Sequence, residues 1–389
     1  MSTDPFLQPG RAGTSAEPPP ARRKPRVAIV FGGRSSEHAV SCASAASVLR
    51  AIDRDAYDVL PIGIAKDGRW VLVPDDPAAL ELAPGHLPEV DPSGAGVVAP
   101  LSTVDRALHV RTATGAIEEL GEVDVVFPLL HGPWGEDGTL QGMLDLADVR
   151  YVGSGVHASA ASMDKHYMKV VFAGHGLPVG PYAVITDRAW RADRAAALDA
   201  SSSMGFPVFV KPARAGSSMG ITRVTSAEGL EAAIEAARDH DPKVLVEAAI
   251  FGRELECAVL QGRDLEPPRT SEVGEIRVVK GHDFYDFEAK YLADADVELV
   301  CPADVPADVS AEVRRLAAEA FTAMGCEGLA RVDCFYTDHG EVVLNEINTM
   351  PGFTPHSMYP RMWAQTGLPY PRLVDELIAL ALARRVGLR

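Results

Sequence analysis

The chain has 389 residues, 47% of them hydrophobic, with 37 Lys and Arg against 54 Asp and Glu, a formal net charge of −17. That length and apolar content bury a sizeable core in two or three domains, and the acidic balance argues against wrapping nucleic acid or lying on an anionic membrane while leaving room for a local basic pocket. No run reaches the length of a membrane span, and the scattered Cys42, Cys257, Cys301, Cys326 and Cys334 form no CxxC or zinc spacing, so they read as reduced thiols of a cytoplasmic protein.

Residues 1–24 are rich in Pro, Gly, Ser, Ala and Arg and read as a disordered extension, neither signal peptide nor membrane helix. Order begins with a buried strand at 25–31, followed at once by GGRSSEH and a helix predicted over about 37–51, where Val40, Ala43, Ser44 and Ser47 supply a small-residue packing stripe. Strand, glycine loop and helix start an open α/β sheet whose ligands sit beyond the strand ends. The glycine spacing is not GxGxxG, so no dinucleotide site is assigned. Glu37, near the helix start, either complements the helix-end charge or holds an ammonium group.

A second strand is predicted at 57–64 and a hairpin-like edge at 68–73, whereas 74–122 is weakly patterned, rich in Pro and Gly, and peripheral. The buried strand at 123–130 delivers HGPWGEDG to the same sheet edge ahead of a helix over 139–147. His131 therefore either donates to a phosphate or substrate or ties its own loop. A short strand and turn at 151–154 close this first domain.

A helix beginning at 162–169 runs into Gly174, and the strand at 206–212 contains Lys211 near its end. The turn that follows, ARAGSSMG, leads into a strand at 221–224; its backbone N–H groups and the hydroxyls of Ser217 and Ser218 can cradle a polyphosphate. No GKS or GKT follows the glycines, so this is not a Walker A loop. After a helix over 227–238, the strand at 244–247 can offer its terminal backbone to a purine edge and Glu247 to the amino group, with Glu254 placed for a ribose hydroxyl. Either acid alone reads equally well as surface charge. A new sheet starts at 253–260, so a boundary falls near Ala249.

Residues 281–291, GHDFYDFEAKY, mix polar and aromatic side chains without a clean period, as a loop packing over a site does. A helix over 309–324 leads to two β-rich runs, 329–336 and 341–347, separated by TDHG, and an amphipathic helix at 373–386 closes the chain. The two runs form an antiparallel hairpin. Alternation puts Arg331 and Asp333 on one face of its first strand and Glu346 and Asn348 on one face of its second, with Asp333 and Glu346 nearly opposite. Two carboxylates and a carboxamide oxygen converging in this way suit Mg²⁺ or Mn²⁺; a charged, solvated hairpin face is the alternative. Glycine loops, two lysines and paired acids thus come from all three sections, as in a cleft between domains.

The ordered motifs GGRSSEHAVS (32–41), LLHGPWGEDG (129–138), MDK (163–165), KPARAGSSMGI (211–221), FYDFEAKY (284–291), and RVD followed by NEINTMPGFTPHS (331–357) resemble those of the D-alanine–D-alanine ligase family of the ATP-grasp superfamily. The resemblance runs from about Arg26 to the C-terminus and omits much of 74–122. It implies an α/β ATP-grasp fold: an N-terminal open α/β (pre-ATP-grasp) domain at 25–155, a central ATP-grasp subdomain at 156–249, and a C-terminal α+β catalytic and metal-binding subdomain at 250–389. It also implies a cytoplasmic homodimer that uses ATP to join two D-alanines through a D-alanyl phosphate, releasing ADP and phosphate, for peptidoglycan precursor synthesis. K⁺ activation stays open.

Residue by residue, the resemblance implies that Glu37 holds the first D-alanine's ammonium, helped by Ser217 and Tyr291, and that His131 sits near its carboxylate and the transferring phosphate. Lys165 and Lys211 meet the ATP phosphates, with Ser217 and Ser218 in the covering hairpin. Glu247, Ala249, Ile250 and Glu254 bind adenine and ribose, and Lys290 reaches the γ-phosphate. Arg331 and the Gly352 N–H form the oxyanion environment, Asp333, Glu346 and Asn348 hold two Mg²⁺ or Mn²⁺ ions, and Ser357 binds the second D-alanine's carboxylate. A ligase joining D-alanine to D-lactate, an ATP-grasp enzyme for another amino acid, and a nucleotide-binding protein with a dead centre are the competing readings.

Overall fold

The computed structural model describes residues 23–83, 85, 87–99, 102–104, 106–112, 114–216, 219–278 and 297–386. The expectations for residues 1–22, for Ser217 and Ser218, and for the 281–291 loop with Lys290 and Tyr291 fall outside the described residues.

The chain first forms β1 (Arg26–Gly32), α1 (His38–Ala51), β2 (Asp58–Ile64), β3 (Trp70–Leu72), β4 (Gly96–Val98), β5 (Ala107–Arg111), β6 (Ile117–Glu122), β7 (Val125–Pro128), α2 (Thr139–Leu146) and β8 (Arg150–Tyr151). Their strands make one sheet in the order β6-β5-β4-β3-β2-β1-β7-β8. The apolar run RVAIVFG leaves β1 buried almost throughout, as a strand covered on both faces requires. It pairs in parallel with β2 and β7, so the loops after β1 and β7 emerge side by side. Ser41 locks them together: Gly32 N–H donates to its Oγ at 2.7 Å, and the hydroxyl donates to the Leu129 carbonyl at 2.5 Å.

Two expectations change here. The 68–73 segment is no sheet edge, because β4, β5 and β6 continue the sheet beyond β3 within the weakly patterned 74–122 region. β4 has only three residues, and β6 is IEELGE with much of its surface in solvent, so neither shows an apolar alternation. The small-residue stripe on α1 is only partly core: Ser44 is fully buried against His131, the buried Val40 and Ala43 line a cavity with Ser47, and Cys42, Ala45, Val48 and Leu49 supply the helix's contacts in the apolar core.

Next come α3 (Val156–Met163), α4 (Lys165–Gly174), β9 (Tyr182–Ile185), α5 (Asp187–Ala192), α6 (Arg194–Ser202), β10 (Val208–Pro212), β11 (Thr222–Val224), α7 (Leu230–Arg238) and β12 (Val244–Ala248), whose strands form an antiparallel sheet ordered β11-β10-β12-β9. This unit has a core of its own around Trp190, Val208, Val210, Ile234 and Val246. The helix expected to run unbroken through 162–174 is divided at Asp164, which has extended backbone and caps α4 by accepting from the N–H groups of His166 and Tyr167. Such a cap contributes about 1 kcal/mol. The same carboxylate receives Lys243 Nζ at 2.7 and 2.8 Å, fixing the start of α4 against the central sheet.

The last unit contains β13 (Gly252–Leu260), β14 (Arg269–Val278), β15 (Val297–Val300), α8 (Ala307–Ala323), β16 (Leu329–Thr337), β17 (Val342–Asn348), α9 (Met358–Gln365) and α10 (Tyr370–Ala383), with strand order β15-β14-β13-β16-β17. Its α9 and α10 share a core with β1, β7 and α1 through Phe353, Tyr359, Leu373 and Leu377. The first and third units are therefore joined by apolar packing, with the antiparallel central sheet beside them. Among the described residues no helix is long and apolar enough to cross a membrane, and all five cysteines are free thiols.

Candidate active site

Every described residue nominated from the sequence lines one cavity of about 1270 Å³ where the three units meet. Its floor is the hairpin β16–β17. Asp333 pairs across the strands with Glu346 and Arg331 with Asn348, and a bulge follows Asp333. On the other side of β16, Asp333 pairs with Glu256 of β13. Directly paired residues share a sheet face, so Glu256, Asp333 and Glu346 form a row of three acids across adjacent strands.

Arg331 is the cation set into this row. Its Nε and Nη2 donate to the two Asp333 oxygens, each at 2.7 Å, and Nε lies 3.1 Å from Glu256 Oε1. Burial works against the guanidinium charge, but Asp333 and then Glu256 hold its pKa well above the usual arginine value. A buried arginine flanked by two acids is held this strongly because removing either sign leaves a charge out of water. Asn348 Nδ2 also donates to Asp333, at 3.0 Å. Among the described residues no group of three or more His, Cys, Asp and Glu is arranged to hold a metal; the sequence-derived set counts Asn348 as its third donor.

The first and third units meet at His131. Its buried ring bridges them, with Nδ1 3.0 Å from the Met350 carbonyl and Nε2 3.1 Å from Ser44 Oγ. Burial lowers the ring's pKa more than Glu37 raises it. A carbonyl only accepts, so Nδ1 carries the proton and Ser44 donates to Nε2. Both nitrogens are thus engaged within the protein, and the ring fixes the segment leading to Gly352. Glu37 precedes α1, is buried, and makes no side-chain cap bond to that helix. The loops close in on its carboxylate: a Cβ on Gly132 would lie 2.5 Å from Glu37 Oε2 and one on Gly216 2.8 Å away. Any side chain at either position would displace the acid, and Gly132 also has φ +74°.

Lys165 and Lys211 both reach the cavity. Lys165, the first residue of α4, places Nζ 3.5 Å from Glu346 Oε2 and donates to the Ala215 carbonyl at 3.1 Å. Lys211, on β10, meets Glu247 Oε2 of the neighbouring β12 at 2.5 Å. A second lysine, Lys169, lies 3.3 Å from Glu247 Oε1. Burial raises the Glu247 pKa, but Lys211 and Lys169 together hold it below the usual carboxylate value. Ala249 and Ile250 line the cavity beyond it, and the Ala249 N–H already donates to the Pro207 carbonyl at 3.0 Å. On the far wall a Cβ on Gly352 would stand 3.1 Å from Ser357 Oγ. Ser357 is itself bonded to Thr354 Oγ1 at 2.9 Å and receives the Thr354 N–H at 3.2 Å.

Three cavity residues escaped the sequence reading. Glu256 could have been found by alternation, two residues after Glu254 on the same strand. Lys169 lies four residues after Lys165, one helical turn away. Glu136 lies inside the HGPWGEDG motif; it accepts the Gly132 N–H at 2.7 Å, and burial followed by the nearby Glu37 charge pushes its pKa up to about 8.

The D-ala D-ala ligase N-terminus family matches residues 26–154, and the D-ala D-ala ligase C-terminus family matches residues 171–379. The chain is 62% identical over 371 residues to a D-alanine–D-alanine ligase of Arthrobacter sp. (strain FB24), covering 95% of this chain and 97% of that protein. Among solved structures it is similar to the VanG D-Ala:D-Ser ligase from Enterococcus faecalis, with TM-score 0.79, 35% identity, and coverage of 92% of this chain and 100% of that one. It is also similar to the D-alanine–D-alanine ligase from Coxiella burnetii, with TM-score 0.78, 32% identity, and coverage of 93% and 94%.

Proposed function

The chain belongs to the D-alanine–D-alanine ligase family, and from that premise we propose that the cleft joins two D-alanine molecules to D-alanyl-D-alanine at the expense of ATP, through a D-alanyl phosphate, supplying a peptidoglycan precursor. The observation that carries this reading is the gathering of Glu37, Lys165, Lys211, Arg331, Asp333, Glu346 and Gly352 around one cavity where three units meet. An ATP-grasp enzyme for another amino acid shares the phosphate-binding residues; the high identity to D-alanine–D-alanine ligases favours D-alanine as acceptor. The domain limits at 25–155, 156–249 and 250–389, a cytoplasmic location and a homodimer belong to the same proposal.

Each charged group then has a task. Lys165 and Lys211 leave Glu346 and Glu247 to take the ATP phosphates, a stronger anion than either carboxylate. Glu247 and the backbone near Ala249 and Ile250 receive the adenine, and Glu254 the ribose. Asp333, Glu346 and Asn348 suit Mg²⁺ or Mn²⁺, since they offer oxygen donors from neighbouring strand positions beside the phosphate lysines. Bound there, the ions would neutralise charge on the transferring phosphoryl group.

Glu37 fixes the first D-alanine by its ammonium group, so that its carboxylate faces the γ-phosphorus. His131 supports this arrangement by fixing the neighbouring loops. Attack forms the acyl–oxygen-to-phosphorus bond and breaks the bond to ADP. The second D-alanine, held through its carboxylate by Ser357, loses its ammonium proton, attacks the acyl carbon and expels phosphate. Negative charge develops on the acyl oxygen between the Arg331 guanidinium and the Gly352 N–H. One such donor typically contributes about 3 kcal/mol, roughly a hundredfold in rate. Phosphate release measured across a panel of D-amino acids, with mass analysis of products, tests the reading: D-alanyl-D-alanine is expected, and ATP binding without phosphate release in the presence of D-alanine would overturn it.

A further inference from the structure

Lys169 is almost wholly buried, yet it reaches the cavity wall. Its Nζ stands 3.3 Å from Glu247 Oε1 and 5.9 Å from the centre of the Tyr182 ring. The other charges acting on it are Lys211 on β10 and Glu346 on β17. Burial pulls its pKa down and Glu247 pulls it back up, while Lys169, after Lys211, counters the burial that raises Glu247.

The two Glu247 oxygens are engaged differently. Oε2 takes Lys211 at 2.5 Å, whereas among the described residues the cation beside Oε1 is Lys169, at 3.3 Å. When Lys211 turns to the phosphates, Lys169 alone remains as counter-ion. A buried carboxylate without a cation takes up a proton. The distinction matters for recognition because an ionised carboxylate only accepts hydrogen bonds, while a protonated one can donate. A 6-aminopurine offers a donor at that edge, and a 6-oxopurine offers an acceptor.

We propose that Lys169 is a specificity-determining residue: by remaining on Glu247 after Lys211 leaves, it keeps that carboxylate ionised, so the base pocket takes 6-aminopurine nucleotides and rejects 6-oxopurine nucleotides. This deepens the functional reading above and rests on its placement of adenine at Glu247. Lys169 touches neither phosphate nor amino acid in this scheme; it acts through Glu247.

The test is steady-state ligation by the full chain with ATP and with inosine triphosphate. Lys169→Met is expected to raise KM for ATP by about tenfold and to lower the ATP-to-inosine-triphosphate ratio of kcat/KM by about tenfold or more, with KM for D-alanine unchanged. Its residual preference for ATP should recover as pH rises and Glu247 ionises. Lys169→Arg, which keeps the charge, should retain the wild-type ratio. Glu247→Gln, whose amide can accept or donate, should lose discrimination even with Lys169 present. An unchanged ratio in a folded Lys169→Met protein overturns the proposal, as does a parallel rise in both KM values, which marks a merely structural role. Should Lys169→Met not fold, retained discrimination in Glu247→Gln overturns it equally. Wild-type protein that ligates D-alanine equally well with either nucleotide refutes the proposal alone, whereas wild-type protein that releases no phosphate with D-alanine refutes the functional reading beneath it.

Discussion

Lys165 Nζ lies 3.5 Å from Glu346 Oε2, so the first residue of α4 rests on a carboxylate of the β16–β17 hairpin. A helix-start lysine and a strand carboxylate, which the proposed mechanism gives to phosphate and to metal, thereby neutralise one another across two units of the fold. Arg331 does the same for Asp333 within a single strand. Glu346 and Asp333 are thus each matched by a cation, unlike Glu136, whose carboxyl is raised by burial and by the neighbouring Glu37 charge.

Replacing Glu346→Ala together with Asn348→Ala removes two oxygen donors whose side chains lie in the cleft wall and outside the apolar core. Circular dichroism should show a folded protein, and Mg²⁺-dependent phosphate release should fall by about a hundredfold or more. Near-normal turnover in a folded double variant would remove the metal assignment.

Glu136 links the cleft to pH. Its carboxyl is raised to about 8 from an ordinary 4.5, by burial first and Glu37 second. Between those values the folded protein keeps a proton that the unfolded chain has already released, so stability falls as pH rises through the window and levels off above it. Glu136→Gln keeps an acceptor for the Gly132 N–H and removes the titration. Its Tm should match wild type at pH 5 and exceed it by about 2 °C or more at pH 9. Melting curves that shift in parallel from pH 5 to 9 would refute this account.

Much of the site was legible because its residues sit on regular elements. Period-two alternation and a short turn placed Asp333 and Glu346 nearly opposite, and the register shift between Asp333 and Cys334 brings them into direct pairing, a step no turn length encodes. What escaped depends on sheet order, which no local pattern encodes. Glu256 joins the acid row only because β13 lies beside β16. Glu247 resembled a free acceptor until β10 brought Lys211 against it and α4 brought Lys169. Asp164 was hidden inside an apparently continuous helix because a capping acid and an interior helical residue look alike without backbone angles.

The N-terminal segment offers a graded test. Arg23 donates to Asp124 at 2.6 and 3.0 Å, and Lys24 Nζ reaches the Arg54 carbonyl at 2.9 Å, so the last two residues of the expected extension touch the folded body. Removing residues 1–22 should leave Tm and turnover unchanged. Removing 1–24 should lower Tm by about a degree or two, since an exposed ion pair contributes up to about 1 kcal/mol. A drop of several degrees on the shorter truncation would show that residues 1–22 contribute to stability.

The choice of acceptor separates a D-alanine–D-alanine ligase from a D-Ala:D-Ser ligase such as the Enterococcus faecalis relative. Lys290 and Tyr291, which the family resemblance ties to the closing loop, lie outside the described residues, and among the described ones charge is what tells the acceptors apart. Glu37, Glu256, Asp333 and Glu346 line the cleft together with Lys165, Lys169, Lys211 and Arg331; in the proposed mechanism Lys165 and Lys211 turn to the phosphates, and the carboxylates they leave attract an incoming ammonium group while giving a neutral hydroxyl no such advantage. The ammonium group must still lose its proton before attack, so a D-alanine acceptor becomes a better competitor as pH rises. D-lactate attacks through a hydroxyl and carries no comparable pH requirement in this range. With both acceptors at equal concentration near pH 8, D-alanyl-D-alanine should predominate, and its fraction should fall at lower pH. D-Serine, the acceptor named for the Enterococcus faecalis relative, is also an amine, so its competition with D-alanine should depend on side-chain fit and change little with pH. Mass spectrometry of the competition products measures all three. A majority of D-alanyl-D-lactate at pH 8 would reverse the acceptor assignment, and a D-alanine-to-D-serine product ratio that swings with pH would remove the amine deprotonation argument.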